Sequence, residues 1–249
     1  MRHDQIALQL YTVRHLAVDD LPATLAAVAA AGYRAVELAG LHDVPAGELA
    51  AMLDANGLRV VASHEGIERL RDDVTEVAER LTEVGCSRVI VPWMPEEDRR
   101  DADAVRRFAA ELTGLADALA PHGMRLGYHN HDFEFAPLDG TTVWDVLLSE
   151  LPETVELELD IYWAAVGGRD PEREIRAHPG RIRLLHVKDR APGEDPHDAP
   201  VGDGVLAIPE IVSAAHSAGV DWFIVEQDEP ADALADIGRS LEYLSALAR

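Results

Sequence analysis

Apolar and polar positions alternate along this chain with a slow rhythm. A short apolar run, often rich in Val, Ile and Leu, is followed by a longer Ala/Leu-rich stretch with helical spacing, and the pair recurs throughout. The apolar runs fall at 5–10, 35–38, 59–63, 88–91, 125–129, 155–159, 182–186 and 222–226. The helical stretches fall near 19–31, 46–56, 67–84, 101–121, 141–149, 171–177, 207–217 and 231–247. Gly32, Gly57, Gly85, Gly123 and Gly219 each follow a helical stretch, where a left-handed C-terminal residue carries no Cβ penalty if it is glycine. Strands alternating with helices argue for parallel β/α units rather than hairpins. Eight such units predict an α/β fold, a (β/α)8 TIM barrel formed as a single domain over 1–249, since ~250 residues is the usual size of that barrel. The rival, an open doubly wound sheet, usually carries a glycine-rich loop after its first strand. Here that position reads LQLYTVRHLAVDD, without glycine.

If the strands close into a barrel, chemistry belongs at their C-terminal ends. Those ends are polar in seven of the eight: Glu37, His64, Trp93, the segment GYHNHDFEF with His129, His131 and Glu134, then Asp160, then His186 with Lys188 and Asp189, and finally Glu226. Buried carboxylates and imidazoles are costly unless paired or bound to a cation. A barrel mouth would bring Asp160, His186 and Glu226 to one point, and such a mixed set suits Mn2+, Mg2+, Co2+ or Zn2+. Plainer readings stand beside these. Asp160 could cap the next helix, His64 could be a hydrogen-bonded structural residue, Lys188 and Asp189 could pair at the rim, and Glu37 could support the site without touching substrate. Trp93 and Trp163 follow strands where an aromatic wall for a sugar ring would sit. His3, His15, His42, His122, His178, His197 and His216 read as surface.

Composition narrows the partners. A formal charge of −24 with no basic patch speaks against nucleic acid. No apolar run approaches the ~20 residues of a membrane helix, and the N-terminus lacks a signal-peptide pattern, so a cytoplasmic location is expected. The one cysteine, Cys86, forms no intrachain disulfide and reads as a buried, inert thiol.

The ordered set LQLYTVR, GYRAVEL, GYHNHDFEF, LDIYW, HVKD, VGDG and VEQDE resembles the sugar phosphate isomerase/epimerase family of xylose isomerase-like barrels, most closely its inosose and keto-sugar branch. The resemblance spans essentially the whole chain. It implies one divalent metal, Mn2+ first, held after strands 5, 6, 7 and 8. Asp160, His186 and Glu226 match three of these ligands. The fourth is usually Glu; here His129 ranks first by register, with Glu134 second and His131 also open. Trp163 stands where epimerases often carry a substrate-binding His.

The implied activity is an isomerase or epimerase that abstracts a proton next to a carbonyl of a sugar-like or inositol-like substrate. A lyase or dehydratase on the same site is the alternative. Glu226 is the expected base, Glu134 and His131 the candidates for the opposite acid, and Lys188 a charge-balancing group; His64, Trp93, Trp163 and Glu37 are expected to face substrate. A homo-oligomer is common among such barrels. Three rivals rank lower: an endonuclease IV-like repair enzyme, a non-catalytic sugar-binding barrel, and a cofactor barrel with Lys188 as a Schiff-base lysine.

Overall fold

In the computed structural model, which describes residues 1–41, 43–193 and 197–248, all eight apolar runs are strands: β1 Ile6–Gln9, β2 Ala35–Ala39, β3 Arg59–His64, β4 Arg88–Val91, β5 Arg125–His129, β6 Glu156–Asp160, β7 Ile182–Val187 and β8 Trp222–Val225. They pair in parallel in sequence order, and β8 returns to β1 through Ile6↔Phe223, Ala7↔Ile224 and Leu8↔Val225. Closure leaves the sheet without an edge and excludes the open doubly wound alternative.

The enclosing helices are α1 Leu21–Ala30, α2 Ala46–Ala55, α3 Ile67–Glu83, α4 Ala102–Leu119, α5 Val143–Glu150, α6 Pro171–Ala177, α7 Ile208–Ala218 and α8 Ala233–Leu247. The stretch expected at 19–31 begins earlier and splits. A short helix, Arg14–Asp19, precedes α1, and Asp20 breaks the two by turning extended and accepting the Ala23 N–H at 2.9 Å. The pattern at 67–84 holds, but Asp73 leaves the helical region inside α3 and its Oδ1 accepts the amides of Thr75 and Glu76. In both places an aspartate offers the backbone a local bond that competes with the helix. Gly123 (φ 73°) and Gly219 (φ 86°) end their helices left-handed, as their spacing predicts.

Side chains inside the barrel form layers. At the N-terminal end Arg88 Nε meets Glu156 at 2.9 Å, Arg125 reaches the other Glu156 oxygen at 2.9 Å, and Arg88 also pairs with Asp221. Above them lies a small apolar layer of Ala7, Ala35, Val61, Ala62, Ile90, Leu184 and Ile224. The main core sits outside, between strands and helices. Cys86 is buried there; its thiol donates to the Arg88 carbonyl at 3.2 Å and burial pushes its pKa up to about 12, as expected of an inert thiol. His3, His15, His122, His197 and His216 are exposed and His178 is half-buried near Glu174; His42 lies outside the described residues. Among the described residues no helix is long and apolar enough to cross a membrane.

Candidate active site

The third layer, at the C-terminal mouth, is polar, because every strand but β4 ends inward on a residue that can hydrogen-bond or ionise: Gln9, Glu37, His64, His129, Asp160, His186 and, just past β8, Glu226. Register places Asp160 beside His186 and His129 beside Glu158. Asp160, His186 and Glu226, far apart in sequence, each offer a ligand atom within 4.8 Å of the others. His186 Nδ1 stands 2.9 Å from Glu226 Oε2. Its Nε2 stands 2.7 Å from Glu37 and 3.2 Å from Glu158.

Asp160 fills two roles at once. Oδ1 accepts the Trp163 N–H at 2.9 Å and caps the short helix Ile161–Val166, so the capping alternative is realised by one oxygen. Oδ2 is buried, carries no hydrogen bond, and lies 3.3 Å from the Lys188 ammonium. Asn130 steadies this strand end, its Oδ1 accepting the Asp160 N–H at 3.0 Å. A buried carboxylate oxygen without a hydrogen bond, next to an imidazole and a second carboxylate, is a donor set that fits a divalent cation.

Opposite charges in this layer hold one another. Burial alone would lower His186 and Lys188, but the carboxylates around them outweigh it and hold both well above their ordinary ranges. Burial would raise Glu158 and Glu226, but His186 and His64 around the first, and Lys188 and His186 around the second, hold both well below. Desolvation wins at Asp160, raised to about 6, and at Glu37, raised to about 7 with the Glu158 charge adding to the effect.

Above the layer opens a cavity of about 490 Å3, lined by His64, His129, His131, Lys188, Glu226 and Asp228 and walled by Tyr11, Trp93 and Trp163. Trp93 packs edge-on against His131, and Trp163 lies 5.5 Å from the same ring.

The family sequence model of xylose isomerase-like TIM barrels matches residues 25–247. The chain belongs to the xylose isomerase-like TIM barrel family. It is 29% identical over 193 residues to an inosose dehydratase of Geobacillus kaustophilus, covering 66% of this chain; the chain spans 60% of the length of that relative. In fold it is similar to a sugar phosphate isomerase/epimerase from Parabacteroides distasonis (TM-score 0.87, 24% identity, 98% of this chain and 95% of the other). It is likewise similar to an IOLI protein with a bound zinc atom (TM-score 0.73, 17% identity, 98% and 97% covered).

Within this family barrel several expected positions shift. His129 does not join Asp160, His186 and Glu226; its Nδ1 faces Glu158 at 3.0 Å in an adjacent cluster. Glu134 does not reach the cavity. Tyr128, which faces outward against Phe108 of α4, donates to one of its oxygens at 2.5 Å, and the His131 N–H donates to the other at 2.8 Å. His131 does line the cavity, but burial lowers its pKa to about 2; a ring held neutral in this way is a hydrogen-bonding group rather than the expected acid. Glu37 lies beneath the cavity on Gln9 (2.9 Å) and His186 and supports the layer instead of facing substrate. Lys188 and Asp189 do not pair: Lys188 binds Glu226 and Asp228, each at 2.9 Å, whereas Asp189 collects the amides of Gly202, Gly204 and Leu206.

Glu158, Asp228 and Tyr11 escaped the sequence reading. For Glu158 a signal existed: Glu156, Glu158 and Asp160 recur with period two, so all three point to one face of a strand.

Proposed function

We propose that this chain is a divalent-metal-dependent enzyme that moves a proton on carbon next to a carbonyl of a sugar-like or inositol-like substrate. The observation that carries this reading is the meeting of Asp160, His186 and Glu226 at the floor of a cavity large enough for such a molecule. These three residues would hold the ion, and a bound divalent cation supplies Lewis acidity toward the substrate oxygens, making the neighbouring C–H proton removable.

The chain's own groups divide the remaining work. Glu226, kept ionised beside Lys188, accepts the proton. Lys188, a cation lining the cavity, offers an N–H bond to a substrate oxygen that gains charge. His131, neutral, flanks the cavity from beyond β5, three strands away from Glu226 around the barrel, and can hydrogen-bond a substrate hydroxyl from another side. Trp93 and Trp163 offer apolar ring faces to the cavity. Return of the proton to the neighbouring carbon completes an isomerisation, and return to the opposite face of the same carbon an epimerisation. The similarity to inosose dehydratases favours a second reading on the same residues, in which the abstracted proton is followed by loss of a β-oxygen as water.

Incubation with ketoses and inososes in D2O tests the reading directly. Deuterium should enter the substrate carbon next to the carbonyl, and loss of water from the product would mark the lyase outcome. Asp160→Ala and His186→Ala should each remove bound metal and lower turnover by 100-fold or more, on the order of 3 kcal/mol, while the circular dichroism stays that of the folded barrel. Full metal occupancy and activity in either variant would refute it.

A further inference from the structure

His129, displaced from the Asp160 set, stands in a cluster of its own. Three imidazoles converge on one oxygen, Glu158 Oε2: His64 Nε2 at 2.7 Å, His129 Nδ1 at 3.0 Å and His186 Nε2 at 3.2 Å. The ligand atoms of these four residues lie within 4.8 Å of one another. Glu37 closes the group, its Oε2 3.5 Å from His64 Nε2 and 2.7 Å from His186 Nε2. A carboxylate oxygen has two lone pairs, so three donors on one oxygen outnumber it. Meanwhile Glu158 Oε1 and Glu37 Oε1 are buried without any hydrogen-bond partner. Both carboxylates are fully buried, and His64 is the only member with appreciable exposure.

Hydrogen bonding alone accounts for this arrangement poorly, whereas a cation accounts for it well. A tetrahedral ion with bonds of about 2.0–2.1 Å sets its ligand atoms roughly 3.3 Å apart, so the nitrogens and the oxygen need to separate by only a few tenths of an ångström to admit one. We propose that His64, His129, Glu158 and Glu37 form a second divalent-cation centre beside the one assigned to Asp160, His186 and Glu226. His186 stands between the two, with Nδ1 toward Glu226 and Nε2 toward Glu158 and Glu37. The two centres differ in chemistry. Two carboxylates and one imidazole suit a harder ion such as Mn2+ or Mg2+. A set rich in imidazole suits Zn2+ or Co2+. His64 and His129 both line the cavity, so the second centre borders the space that a substrate enters.

Metal counting tests this independently of activity. The full chain is stripped with a chelator, loaded with Zn2+, freed of excess ion by gel filtration, and its zinc per chain measured by plasma mass spectrometry. Circular dichroism and a thermal melt confirm folding of each variant. The expected count is two for the native chain, one for Asp160→Asn, and one for the double variant His64→Ala/His129→Ala. Glu158→Gln, nearly isosteric, serves if the double variant fails to fold. Loaded with Co2+, Asp160→Asn should still show the visible absorption of an ion held by His64 and His129, and in the double variant the absorption should fall to what the single imidazole of the first centre gives. A native count of one that survives in the double variant overturns the second centre and leaves the first standing; a native count of zero overturns both. A count unchanged in the double variant and in Glu158→Gln marks the extra zinc as adventitious and overturns the proposal as well.

Discussion

Glu134 holds its proton for the sake of burial, and that has a measurable price in pH dependence. Its carboxyl is almost wholly enclosed, and although Tyr128 and the His131 amide both donate to it, desolvation raises its pKa from 4.5 to about 7. Between those two values the folded chain binds a proton that the unfolded chain has released. Stability contributed by this group is therefore full below pH 4.5, falls as pH rises toward 7, and is lost above that; integrated, the window is worth on the order of 3 kcal/mol. Glu134→Gln should flatten the fall. Chemical denaturation of both proteins at half-unit steps from pH 4.5 to 7.5 measures it, and parallel slopes would show that the carboxyl titrates normally. The same residue explains one limit of sequence reading. GYHNHDFEF announces chemistry through its composition, but whether Glu134 faces the lumen depends on the turn Phe133–Phe135, and no periodicity of three residues specifies that. Glu158 failed in the opposite direction: inspecting only strand ends passes over a strand whose inward positions are all acidic.

Elements were legible wherever one rule governed a whole segment. β4 and β5 lie where the apolar runs place them, and the other strands differ by a residue or so at an end, because an apolar run bounded by turn residues is what a parallel strand covered on both faces requires. Less legible were segments held by single side chains, such as the loop from β7 to α7. There Asp189 accepts the N–H groups of Gly202 and Gly204 through Oδ2, and of Arg190 and Leu206 through Oδ1. Gly204 has no room for a side chain, since a Cβ would fall 2.2 Å from Asp189 Oδ1. The loop bears on the site, because Asp198 accepts the Asp228 N–H and Asp228 holds Lys188 at 2.9 Å. Asp189→Ala leaves four amides without their charged acceptor and, at 1 kcal/mol or more for each bond not replaced by water, should cost roughly 3 kcal/mol. Hydrogen exchange should quicken from 198 to 206 while α3 and α4 stay protected, and turnover should fall as Lys188 loses its anchor. Unchanged protection of that loop would show that Asp189 is not what holds it.

At the scale of the whole barrel, β6 carries a carboxylate at three heights and each height does different work. Glu156 joins arginines at the bottom, Glu158 gathers imidazoles in the middle, and Asp160 holds an oxygen without a hydrogen bond beside Lys188 at the mouth. The apolar layer that contains Leu184 and Ile224 lies between the bottom ion pairs and the mouth, with Glu158 paired to Leu184 in register. Removing a partner from a buried pair typically costs 3–5 kcal/mol because a charge is left uncompensated. Here Arg125 still neutralises Glu156 and Arg183 still reaches Asp221 at 2.8 Å, which moves the expectation for Arg88→Met to the low end, about 3 kcal/mol. Guanidinium denaturation should show that loss, whereas zinc per chain and the pH profile of turnover should match the native protein, since the arginine's ion pairs, to Glu156 and Asp221, lie at the bottom of the barrel. A variant as stable as the native chain would mean that the pairs merely repay their own desolvation. A variant that instead lost metal would mean that the two ends of the barrel are mechanically coupled, and that a charge network sealing the bottom also sets the geometry of the mouth.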